Sequence, residues 1–232
     1  MKAVFLASAL VVVAGWCTPA AMRAQSAASN DAAPPIAVST PVNDPASNTG
    51  NDPVDSPVKG SNEFEVWSSA GGAVPINGSI APITEWNLGA RYGRVLTDAH
   101  GPSLLNGRFE YSFDVVPAFL VFQHEGGHNA TVYGGGFDPF AVKWDFRTRR
   151  HITPFFEISG GGLFTTDPVP PLGTTFNFTA SVALGAHVMR GRHAVSVDVR
   201  WFHISNAHII HYDPGINAVQ VRVGFGLFTH PK

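Results

Sequence analysis

His203 and Ser205 stand two residues apart in Trp201-Phe202-His203-Ile204-Ser205-Asn206-Ala207, and Gly215-Ile216-Asn217 follows after a polar loop. The run leading into them alternates: Val195, Val197, Val199 and Trp201 are apolar, whereas Ser196, Asp198 and Arg200 are polar. Strand side chains alternate faces with a period of two. A continuing pleat therefore puts the imidazole and the hydroxyl together on the apolar face, where nothing polar is expected. A serine hydroxyl is a poor nucleophile until a neighbouring imidazole takes its proton, and the imidazole needs an acceptor to fix its tautomer. Asn217 shares a face with Val219 and Val221. A base and a hydroxyl on a greasy surface point to chemistry on a lipid.

Such a site needs strands to hold it, and from Glu63 onward the chain supplies them. Period-two alternation recurs with turn residues between segments, and helical periodicity is lacking. Trp86–Tyr92, Phe109–Val115, Phe140–Phe146, Phe176–Val188, Ala194–Trp201 and Val219–Leu227 alternate clearly, and Phe64–Ala73 and Ile152–Phe164 more weakly. The count is eight, an even number.

The N-terminus stands apart. Lys2, an apolar run to Gly15 and small residues near Ala20 to Ala24 read as a secretory signal peptide over residues 1–24, too short to span a bilayer. Residues 25–62 are rich in Ala, Ser, Pro, Asn and Asp and read as a disordered linker, leaving 63–229 as the folded domain. Cys17, the single cysteine, would leave with the signal peptide. A net charge of −2 gives no argument for a nucleic-acid partner.

Alternation fits either a soluble β domain with an apolar interior or a membrane barrel turned inside out. Three features favour the membrane. The apolar faces are heavily aromatic. The polar faces carry Arg91, Arg108, Lys143, Arg200 and Arg222 against Glu65, Glu110, Asp114, Asp145, Glu157 and Asp198, signs that nearly balance. Such charges can pair inside a narrow eight-stranded lumen filled by side chains. Segment length also suits a tilted crossing, which takes roughly 9–11 residues. The expected fold is all-β: an eight-stranded antiparallel transmembrane barrel of the bacterial outer membrane. Thr148–His151 and Arg190–Arg192 read as tight periplasmic turns, and Gln123–Val132, Thr165–Thr175 and Ser205–Gly215 as longer outer loops. Counted from a periplasmic N-terminus, His203 and Ser205 reach the outer leaflet, where the lipid is lipopolysaccharide.

His203-Ile204-Ser205-Asn206-Ala207 followed by Pro214-Gly215-Ile216 resembles the lipid A 3-O-deacylase (PagL) family, also called acyloxyacyl hydrolases. The specific motif covers about fifteen residues; the architecture covers residues 63–228. The resemblance implies a serine esterase on the barrel's outer wall that removes an acyl chain from lipid A, with Ser205 as nucleophile and His203 as general base. It implies no metal and no organic cofactor. The implied partners are lipid A and the outer-membrane bilayer, with a homodimer left open. Where the family type has a glutamate two residues after the loop glycine, this chain has Asn217. Where the type has a loop asparagine, it has Asp213, which either repels a developing oxyanion or turns toward His203 as the missing acid. Asn206 and the loop around Gly215 are left as the oxyanion and substrate residues. A non-catalytic barrel that binds lipid or maintains the envelope is the alternative.

Other motifs have plainer readings. His124-Glu125-Gly126-Gly127-His128 matches a zinc-protease pattern, but that pattern works on a helix and two glycines interrupt it here. His203, His208 and His211 straddle a strand end and a loop, a poor frame for three convergent ligands. Gly134–Gly136 and Gly160–Gly162 read as tight bends or close approach in a barrel wall.

Overall fold

The computed structural model describes residues 57–75, 83–148, 151–211 and 215–229, all within the compact unit Ser47–Lys232. The expected signal peptide, most of the linker, Asp213 and Pro214 lie outside the described residues. Residues 57–61, read as linker, form a turn (Ser61 N–H to Val58 O, 2.9 Å) that also bonds the end of the second strand (Gly60 N–H to Val95 O, 2.9 Å). The fold thus begins slightly earlier than expected.

Eight strands close into one antiparallel ring, each bonded to the next. They are β1 (Asn62–Ala73), β2 (Thr84–Val95), β3 (Gly107–Glu125), β4 (His128–Phe146), β5 (Ile152–Val169), β6 (Thr174–Arg190), β7 (His193–Ser205) and β8 (Ile216–Phe228). Pairing of β1 with β8, from Glu63↔Phe228 to Ala73↔Ala218, removes the last free edge. We call the end carrying Asn62 and Phe228 the lower end and the end carrying Ala73 and Ile216 the upper end.

Two expected loops are strands instead. β3 runs to Glu125 and β4 restarts at His128, so Gln123–Val132 is a tight hairpin turned by Gly126 and Gly127, both at positive φ (57° and 85°). Most of Thr165–Thr175 likewise belongs to β5 and β6. Bulges explain the miss. Register shifts at Ser112/Asp114 and Val116/Phe119 in β3, and at Phe137/Phe140 opposite β5, break the period of two. Pro117 and Gly134–Gly136 fall in the same stretch. Of the expected outer loops, the one after Ser205 is not absorbed into strand over its described residues 206–211. A lower-end connection between β2 and β3 carries a short 3-10 turn, Ser103–Leu105.

Outward positions are apolar: Phe64, Val66, Phe113, Val115, Phe140, Ile158, Leu184, Val197, Val199, Val221 and Phe225 are all exposed. The inside is layered. Its middle holds the charges the sequence paired off. Arg91 Nε meets Asp114 Oδ1 at 2.7 Å, Arg222 Nε meets Asp198 Oδ2 at 2.8 Å, and Arg200 Nε meets Asp198 Oδ1 at 2.9 Å. Glu157 binds Arg91, Arg200 and Arg222 together. Lys143 Nζ joins Glu63 (2.8 Å) and Glu110 (3.1 Å). Near the upper end the lining turns apolar: Trp67, Ile83, Phe119, Val121, Val132, Leu163, Val169, Phe202, Ile204 and Ile216 form one buried cluster. The sequence pattern placed paired charges in the lumen and did not identify this apolar layer. The bulge at Val116/Phe119 flips β3 so that Phe119 and Val121 point inward above it. A smaller cluster, Met189, Ala194 and Phe228, closes the lower end.

Removing one partner from a buried ion pair leaves the others uncompensated and costs about 3–5 kcal/mol. Glu157→Gln takes the shared carboxylate from three guanidinium groups. We expect a loss of that order, read as a lower urea midpoint for the barrel in detergent by tryptophan fluorescence. An unchanged midpoint would show that the network does not stabilise the fold.

Candidate active site

β7 alternates from end to end, with Val195, Val197, Val199 and Trp201 exposed and Ser196, Asp198, Arg200 and Phe202 buried. His203 and Ser205, both half-buried, continue the outward set. Ile204 continues the inward set and joins the upper apolar cluster. Two steps along a strand separate the His203 and Ser205 Cα atoms by about 6.6 Å, close enough for their side chains to meet.

Register brings in the third residue. β7 and β8 pair with His203 directly opposite Asn217, then Trp201 opposite Val219 and Val199 opposite Val221. His203 Nδ1 lies 2.9 Å from Asn217 Oδ1. An amide oxygen has no proton, so the ring must donate from Nδ1. That leaves Nε2 as the unprotonated nitrogen able to act as a base. Asn217 follows the outward parity of Val219, yet is only 8% exposed.

Two neighbours hold the imidazole. The Trp201 ring stacks on it, centroids 5.7 Å apart and planes 14° from parallel. Gly215 faces its other edge: a Cβ there would lie 3.1 Å from His203 Cε1 and 3.9 Å from Nε2. Gly215 also has φ +63°, the left-handed region that glycine enters without a steric cost. Both facts restrict the position to glycine.

Among the described residues, no hydrogen bond joins Ser205 Oγ to His203; the ring's one such partner is Asn217. Catalytic hydrogen bonds often tighten only with substrate bound. Asn206, the first residue past the end of β7, is 1% exposed. Beyond it the chain turns back, with Ile209 N–H bonding Asn206 O at 3.0 Å and positive φ at Ala207 (50°) and His208 (62°). His208 and His211 are exposed in this turn. At the other candidate motif, His124 Nδ1 meets Asn129 Oδ1 at 3.1 Å across the β3–β4 hairpin and His128 Nδ1 meets Gly126 O at 3.2 Å.

Sequence reasoning found the Phe176–Val188 strand but did not name the residues it sets beside the site. Phe178 pairs with Ser205 and Ala180 with His203. The signal was present in the tight turn Gly191-Arg192: Arg190↔His193 fixes the register, and every later pair can be counted from it.

The chain matches the model of the family "Lipid A 3-O-deacylase (PagL)" over residues 105–226. Among solved structures it is similar to the outer membrane enzyme PagL, at 19% identity and a TM-score of 0.52, over 69% of this chain and 97% of that one. It is also similar to the outer membrane protein OprG from Pseudomonas aeruginosa (10% identity, TM-score 0.49, 78% of this chain and 100% of that one). Neisserial surface protein A follows at 11% identity and TM-score 0.43, over 74% of this chain and 99% of that one. No curated protein matches the chain.

Asn217→Ala removes the acceptor that fixes the ring. We expect nitrogen-15 NMR of histidine-labelled protein to show His203 moving from one Nδ1–H tautomer to a mixture. An unchanged spectrum would mean that Asn217 does not set the tautomer.

Proposed function

Because the chain belongs to the lipid A 3-O-deacylase (PagL) family of the bacterial outer membrane, we propose that it removes an acyl chain from lipid A at a Ser205–His203–Asn217 site on the outer wall of the barrel. The observation that carries this reading is the bond from His203 Nδ1 to Asn217 Oδ1, which leaves Nε2 as a base on the face that presents Ser205.

Ser205 Oγ attacks the ester carbonyl as its proton passes to Nε2. The tetrahedral intermediate collapses, the C–O bond to the sugar breaks, and the imidazolium gives its proton to the departing alkoxide. A water then attacks the acyl-serine, again losing a proton to Nε2, and the fatty acid leaves as Ser205 recovers its hydroxyl. Asn217 orients the ring without supplying a negative charge to the imidazolium. In a serine-protease triad the acid-to-amide change lowers kcat by ~10⁴, so a slow enzyme is the natural expectation here. Asp213, when turned toward the ring, would restore a charge. The developing oxyanion takes its hydrogen bonds from backbone N–H groups at the strand end and around Gly215, with Asn206 holding the turn that presents them.

An acyl ester in a membrane can reach such a site by lateral diffusion, since the site opens to the lipid side and the lumen is filled. The amide at position 217 favours a second reading, a barrel that binds lipid without cleaving it.

Purified protein with lipid A should release fatty acid detectable by mass spectrometry, and Ser205→Ala should fall to background. Equal release by the two proteins removes the hydrolase assignment and leaves the lipid-binding barrel. For Asn217→Glu we expect turnover equal to or above wild type; a collapse would show that the amide itself is required.

A further inference from the structure

Outside the lumen, the described cations gather at one end of the barrel. Lys59, Arg94, Arg147, Arg190 and Arg192 lie at or beyond the lower strand ends, and the sequence adds Arg149 and Arg150 to the β4–β5 connection. The segments that join strands at the upper end, residues 74–83, 123–131, 165–175 and 206–215, contain no lysine or arginine and carry Glu125, Asp167 and Asp213. Two of the lower arginines belong to the outer wall. Arg94 is exposed and continues the outward parity of Ala90 and Tyr92. Arg190, also exposed, continues that of Leu184 and Val188 and pairs with exposed His193. Met189 N–H bonds His151 O at 2.7 Å, which sets Arg190 beside the connection that carries Arg147. Arg192 Nε donates to Phe228 O at 3.2 Å. Among the described lower connections the one carboxylate is Asp98, 3.2 Å from Lys59 Nζ.

An apolar feature accompanies this basic rim. The connection from β2 to β3, residues 96–106, folds against the outside of the wall. Trp144, outward between lumenal Lys143 and Asp145, donates its Nε1–H to Leu105 O at 3.2 Å. The His100 ring meets the Trp144 ring edge-on, centroids 4.9 Å apart. Thr97 Oγ1 accepts from Phe109 N–H at 2.9 Å, and His100 bridges to Gly107. So fastened, the connection presents Leu104 at 88% and Leu105 at 60% exposure beside the apolar wall. Scattered exposed leucines are ordinary. Two adjacent ones at the tip of a segment held to a lipid-facing surface extend that surface sideways.

The geometry points to the lower end as a docking surface for anionic phospholipid in the leaflet around it. Arg94, Arg190 and Arg192 take the headgroup phosphates, and Leu104 and Leu105 enter the acyl region beside them. Guanidinium forks match phosphate oxygens, and each cation near a membrane surface adds to the preference for anionic lipid. The surface also fixes the depth of the barrel. The thirteen residues of β7 rise about 30 Å at the usual tilt of roughly 40°, a little more than an apolar band of about 25 Å. With Arg190 and His193 held among the headgroups of one leaflet, Ser205 reaches those of the other. The proposal does not require Ser205 to be a nucleophile.

Native mass spectrometry of the detergent-solubilised protein with equimolar phosphatidylglycerol and phosphatidylcholine tests it. Wild type should retain phosphatidylglycerol over phosphatidylcholine by about tenfold or more. The triple variant Arg94→Gln, Arg190→Gln, Arg192→Gln should bring that ratio close to one, whereas Glu125→Gln with Asp167→Gln at the upper end should leave it as in wild type. A ratio near one in wild type, or unchanged in the triple variant, overturns the proposal. So does a preference that emerges only when Asp31, Asp44, Asp52 and Asp55 of the N-terminal segment are all changed to Asn, since the rim's occupant is then the chain's own aspartates. A second measurement keeps the arginines intact. In phosphatidylglycerol vesicles, the fluorescence added by Leu104→Trp should be quenched by lipid carrying a doxyl group high on its acyl chain and shielded from aqueous iodide. Quenching by iodide and not by the doxyl lipid would place the tip in water and overturn the docking surface.

Discussion

A closed wall one backbone thick gives each strand residue a choice of two environments. Hydrogen bonding consumes every edge, so the strand cannot rotate, and adjacent side chains must face opposite ways. Everything at the candidate site follows from that constraint. His203 and Ser205 share the outward parity of Val199 and Trp201, and Asn217 meets His203 because β8 pairs with β7 in one register and no other. A shift of a single residue would turn the imidazole into the apolar cluster and present Ile204 to the membrane.

The interior supplies rigidity rather than passage. Glu157, with no exposed surface, ties three arginines on three strands, and Lys143 draws together Glu63 and Glu110. Buried ion pairs of this kind contribute little net stability over apolar packing, but they penalise any rearrangement that separates them. The platform behind the candidate site is consequently stiff.

The parts legible from sequence were those where period two runs unbroken. β7 and β8 show a clean alternation, so the outward set, including His203, Ser205 and Asn217, could be read by parity alone. The upper halves of β3 and β4 were illegible for a physical reason. Bulges near Pro117 and Pro139 reverse parity mid-strand, and Gly134–Gly136 carry no side chains to show it. A strand with a reversal looks like a loop to a pattern, although hydrogen bonding continues through it. Asn206 shows the converse limit. Its place beside Ser205 indicates proximity, but its near-complete burial past the strand end is set by the turn and no spacing rule contains it. The stacking of Trp201 on His203 depends on ring orientation, which no spacing rule contains.

The cluster of Trp67, Phe119, Phe202, Ile204 and Ile216 at the upper mouth has a bearing on permeability. A dry constriction repels water and, with it, hydrated ions. A cylinder that joins two aqueous compartments is thereby made electrically silent. The cell can carry many copies in its envelope without collapsing solute gradients.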